Sequence, residues 1–144
     1  MAFIQRVIHA LTTQPPHPLF VHFPIALTGA ALLFILLALW KKREILEQIA
    51  FANISLAALS TIVTPIVGFR DNIMFYNGGA PNHNAKIILA GLLFLITSST
   101  AIIRWRKPRL FQSHGKAIYI ASYFVSFALA AVLGFLGAVI VYGF

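Results

Sequence analysis

Four uncharged runs of membrane-spanning length govern what this chain can fold into. Leu19–Trp40, Ile49–Phe69, Ile87–Ile103 and Ala117–Phe144 contain no Asp, Glu, Lys or Arg. A helix rises about 1.5 Å per residue and the hydrocarbon core of a bilayer is about 30 Å thick, so a spanning helix takes roughly 20 apolar residues. The third run is short, and Lys86 and Arg104 at its ends are expected to snorkel to the interfaces. Composition agrees: 60% of the residues are apolar, 10% are charged and the mean hydropathy is +0.88. A small soluble domain needs about 25% charged residues to meet water, so a soluble globular fold is excluded. The expectation is an all-α integral membrane protein with one domain over residues 1–144 and spans at about 19–40, 49–69, 87–103 and 117–143. Short connections between neighbouring spans favour an up-down-up-down four-helix bundle.

The sequence has 11 Lys and Arg against 3 Asp and Glu, a formal charge of +8. Position decides what that charge means. Lys41, Lys42 and Arg43 follow the first run, and Arg104, Arg106, Lys107, Arg109 and Lys116 follow the third, so eight cations share one side of the membrane. Arg6, Arg70 and Lys86 fall on the other. The positive-inside rule therefore places both termini and the Arg70 to Lys86 connection outside the cytoplasm, in a bacterial inner membrane. No basic helix or aromatic-interleaved groove accompanies the charge, which excludes a nucleic-acid partner and leaves the bilayer and other membrane subunits. The first run is expected to be retained rather than cleaved, because a basic cluster and not a small-residue site follows it. Ahead of it Phe3, Ile4, Val7, Ile8 and Leu11 recur at helical spacing, which fits a short interfacial helix or a frayed end with chance periodicity.

No Asp, Glu, Lys, Arg or His lies near the middle of any run. Ion pumps and charged-substrate carriers need such groups in the membrane, so a free-standing transporter is the least favoured of three functional classes. The absence of Cys removes disulfides, thiolate catalysis, covalent c-type haem and Cys-ligated iron–sulfur clusters. No triad, phosphate-cradling glycine loop or catalytic carboxylate pair is present, and no catalysis by this chain alone is expected.

The histidines are more informative. His9, His17, His22 and His83 map to the outer side and only His114 to the inner. His17 precedes Pro18, which suits the first turn of a helix, and Pro24 frees the carbonyl near Phe20 for a ligand, a water or a side chain. His83 opens the third span, where Asn82 or Asn84 is expected to cap it, and His114 is expected to cap the fourth or to meet lipid headgroups. Two imidazoles on facing helices can hold haem b, with His22 and His83 the first choice of iron ligands and His17 with His83 the second. His17 and His22, five apart, point about 140° away from each other on one helix, so they do not form a metal pair by themselves. With only His114 on the inner side, a two-haem chain across the bilayer is disfavoured. A quinone or pigment pocket, or no cofactor and plain interfacial hydrogen bonding, are the alternatives. Residues 70–84 read as a polar, aromatic, turn-rich outer loop, with Asp71 pairing Arg70 or orienting a nearby His. In the fourth span Ala130, Gly134 and Ala138 form a small-residue ridge that admits a close helix, either within the bundle or on a partner chain.

The segment His17-Pro18-Leu19-Phe20-Val21-His22-Phe23-Pro24-Ile25-Ala26-Leu27 resembles the opening signature of a bacterial membrane family known as domain of unknown function 2231. The resemblance extends through Gly68 and Arg70-Asp71, His83, the Arg104-Trp105-Arg106 exit and the closing Leu136-Gly137-Ala138-Val139-Ile140-Val141-Tyr142-Gly143. It implies a four-helix inner-membrane protein, with a domain that elsewhere is fused to or encoded with Rieske and cytochrome c modules. His17, His22 and His83 are the recognisable polar positions of that pattern here. Together these readings give a small integral subunit of a respiratory or photosynthetic electron-transfer complex, binding haem b or shaping a quinone or pigment pocket. The alternative is a structural or assembly subunit without a cofactor.

Overall fold

The computed structural model describes residues 4–5 and 17–142. Four long helices make up almost all of it: α1 (His17–Lys41), α2 (Glu44–Tyr76), α3 (His83–Arg106) and α4 (Lys116–Tyr142). Among the described residues there is no strand. All four helices are long and apolar enough to cross a membrane. They pack as a ring in chain order, α1 on α2, α2 on α3, α3 on α4 and α4 back on α1, so α1 and α3 occupy opposite corners. The N-terminal interfacial helix lies outside the described residues apart from Ile4 and Gln5, which are helical and exposed.

The ring's core is thin, alanines alternating with a few isoleucines and tyrosines. Ala31 and Ile35 of α1, Ala50 and Ile54 of α2, and Tyr119 and Tyr123 of α4 form its buried cluster. Large apolar residues such as Leu33, Leu59, Leu95 and Phe135 point outward instead. That inversion is expected in lipid, where burying Leu gains little and helices associate through small residues and polar contacts. Gly134 illustrates it: a Cβ there would come within 2.6 Å of the Ile25 side chain on α1. Ala130, one turn before Gly134, is buried, so two of the three ridge positions lie inside the bundle.

Two boundaries differ from the sequence expectation. Helix α2 runs for 33 residues, about 50 Å at 1.5 Å per residue, well beyond the hydrocarbon core. Arg70 to Tyr76 are therefore helical rather than loop, and the connection shrinks to residues 77–82. The helix ends where Asn77 turns left-handed (φ 50°), followed by Gly78 (φ 81°), whose N–H closes back on the Asn72 carbonyl at 2.9 Å. Asn82 precedes α3 in a left-handed conformation and makes no side-chain cap, so the expected Asn capping does not form there. Before α4 the Oγ of Ser113, and not His114, accepts the Gly115 N–H at 3.2 Å.

Candidate functional site

The described ionisable groups gather at the two ends of the ring, while the buried polar residues between them are Thr and Ser. At the histidine end, α2's overhang brings Asp71 and Asn72 inside, both buried, while Arg70 pairs with Asp71 at 3.1 Å. Asn72, rather than Asp71, is the partner of His83. Its Oδ1 accepts the Ala80 N–H at 2.9 Å, which fixes which way the amide points. Its Nδ2 then faces the Gly78 carbonyl at 3.3 Å and the His83 ring at 3.2 Å from Nδ1 and 3.5 Å from Nε2. A neutral imidazole has one accepting and one donating nitrogen, so the nitrogen that takes Asn72's proton is the acceptor and the other carries N–H. That N–H has no acceptor among the described residues. The ring is half-buried and its centroid lies 6.5 Å from that of Phe69, an exposed aromatic on α2.

His22 is exposed at the same end on α1, the corner opposite α3. His17 belongs to the first turn of α1, but its side chain lies outside the described residues. The carbonyl of Phe20, freed by Pro24, finds a side chain: Thr64 Oγ1 leans toward it at 3.4 Å while donating to Ser60's carbonyl at 2.8 Å. Phe20, Phe23, Ser60, Val63 and Thr64 line a shallow apolar recess of about 190 Å³ there. Among the described residues no group of three or more His, Cys, Asp or Glu is placed to hold a metal ion. Iron ligation by two imidazoles needs a lone pair from each. While Asn72 holds the accepting nitrogen of His83, that ring has no lone pair to give, so haem does not fit this arrangement.

The basic end holds a cluster the sequence reading missed. Glu47, only 3% exposed, takes a forked ion pair from Arg104, Nε to Oε1 at 2.6 Å and Nη2 to Oε2 at 2.7 Å. The Tyr119 hydroxyl donates to the same Oε1 at 2.8 Å, and with its proton spent there it accepts from Tyr123 at 2.6 Å. Arg104 also lies over the Phe51 ring, 5.4 Å from its centroid. Far from snorkelling, Arg104 turns inward to tie α3 to α2, and the tyrosines add α4. A signal existed: Glu47 and Arg104 flank runs that are antiparallel neighbours, so they reach the same end, and Tyr119 and Tyr123 share a helix face at i, i+4.

An all-α bundle of four spanning helices with polar groups at both ends defines the class, an integral membrane protein. The chain matches the family described as "Predicted membrane protein (DUF2231)" over residues 13–144, and it belongs to that family. No curated protein and no solved structure matches it.

Proposed function

We propose that the chain is a small integral subunit of a bacterial membrane electron-transfer complex whose histidine end, on the non-cytoplasmic face, receives a quinone-type ring. One observation carries this reading: Asn72 fixes the His83 ring and leaves one N–H without an acceptor among the described residues, beside the exposed Phe69. Such an N–H suits a carbonyl oxygen on a flat ring, and the phenyl face suits the ring itself. His83 is the donor, and Asn72, which also bonds Gly78 and Ala80 of the loop, positions it. The family resemblance, with its redox neighbours, supports the setting. Haem b on His22 and His83 is the second reading; it requires Asn72 to release His83.

The test is calorimetric titration of the purified protein in mild detergent with short-tailed benzoquinone and naphthoquinone analogues, beside a reduced-minus-oxidised spectrum. Saturable binding is expected, weakened about five- to tenfold in His83→Ala, as loss of one hydrogen bond predicts, with little change in His83→Gln. A b-type band near one haem per chain, lost in His83→Ala, would replace the quinone reading by the haem one. Neither binding nor a band would leave the structural-subunit reading standing.

A further inference from the structure

We infer that the turn between α3 and α4 is a headgroup site for an anionic phospholipid of the adjoining leaflet. Lys107, Pro108, Arg109, Leu110 and Ser113 line an open recess of about 540 Å³. The turn is built rather than loose. Leu110 and Phe111 pack against the buried cluster, and Gln112 is hydrogen-bonded to Glu44 of α2. The backbone of Leu110–Gln112 closes a 3₁₀ turn, with Leu110 N–H on Lys107's carbonyl at 2.9 Å and Gln112 N–H on Arg109's at 3.0 Å. Lys107 and Arg109 thus line the recess from a turn whose backbone is hydrogen-bonded.

Charge accounting identifies the occupant. Of the three Asp and Glu side chains, Asp71 lies at the far end, Glu47 is paired with Arg104, and Glu44 keeps its charge while accepting a hydrogen bond from the neutral Gln112. Among the described residues Arg106, Lys107 and Arg109 form no ion pair, and they outnumber the one carboxylate left at this end. The recess also lies at headgroup depth. Trp105, 74% exposed at the end of α3, and Trp40, 73% exposed at the end of α1, mark the level where amphipathic rings settle at the interface, and the recess begins two residues beyond Trp105. Basic recesses at that depth are met by phosphate-bearing lipid headgroups whose acyl chains lie along the helix. The exposed apolar flank of α3, with Ile102 and Ile103, is available to those chains.

The experiment is native mass spectrometry of the full chain released from detergent with graded phosphatidylglycerol. Lys107→Gln/Arg109→Gln should weaken phosphatidylglycerol binding about 30-fold, since each cation near a lipid surface contributes about a factor of five. Lys42→Gln/Arg43→Gln, which removes the same charge at the neighbouring turn, should change it by less than about threefold. The swap Lys107→Arg/Arg109→Lys should retain binding. Three results would each overturn the proposal: equal loss in the Lys42/Arg43 variant, which would make the effect diffuse charge; equal retention of phosphatidylcholine; or displacement of the lipid by inorganic phosphate at matched concentration, which would make this a free-phosphate site.

Discussion

A carboxylate and a guanidinium buried against each other in an apolar bundle are costly to separate. Glu47 accepts three hydrogen bonds, two from Arg104 and one from Tyr119, so its charge is neutralised and its stronger acceptor sites are filled. Removing one partner leaves the other charge buried alone, which costs about 3–5 kcal/mol, whereas replacing both by apolar residues of similar volume is often near neutral. Arg104→Ala and Glu47→Ala should therefore each lower the thermal midpoint in detergent sharply, and Glu47→Leu/Arg104→Met should recover most of the loss. Midpoints that fall additively would mean the two residues act independently. Tyr123→Phe is a milder probe: it removes one hydroxyl from the end of the chain and should cost about 1 kcal/mol.

At the level of the helices, the seam between α1 and α4 depends on the absence of side chains. Gly134 faces Ile25, and any Cβ must displace that side chain, while a Cβ at Gly137 meets nothing within 4 Å. Gly134→Val should destabilise the protein by about 1–3 kcal/mol through overpacking, and Gly137→Ala should be neutral or slightly stabilising because alanine is the better helix former. A differential scanning measurement of both variants checks the pair; equal effects would show that the ridge does not serve this seam. The overhang of α2 is the other helix-level feature. By extending past the bilayer it brings Asn72 to His83 at the start of α3, and that extension creates the proposed site out of what reads in sequence as a loop.

For the whole molecule, the asymmetry of charge predicts orientation. The basic end should face the cytoplasm and the histidine end the opposite side. Because the chain lacks Cys, single cysteines report on this without a background. Pro81→Cys and His114→Cys, both at exposed positions, should react with a membrane-impermeant maleimide in intact spheroplasts and only after lysis, respectively. The reverse pattern would invert the topology and place the proposed quinone-type site on the cytoplasmic face.

Sequence by itself determined the class, the number of spans and which residues gather at which end. Those follow from length, apolarity and charge placement, which act residue by residue against the bilayer and need no knowledge of neighbours. It also exposed His83 and the freed carbonyl near Phe20, because Pro24 and the approach to α3 are local. What it left undecided was pairing. Glu47 and Arg104 lie 57 positions apart, Asn72 and His83 belong to different helices, and the small-residue ridge admits an internal or an external partner. Only the order of helices around the ring and the length of α2 decided these, because a buried charge or amide is satisfied by whichever group the packed helices bring within about 3 Å, and that distance is set by the tertiary arrangement.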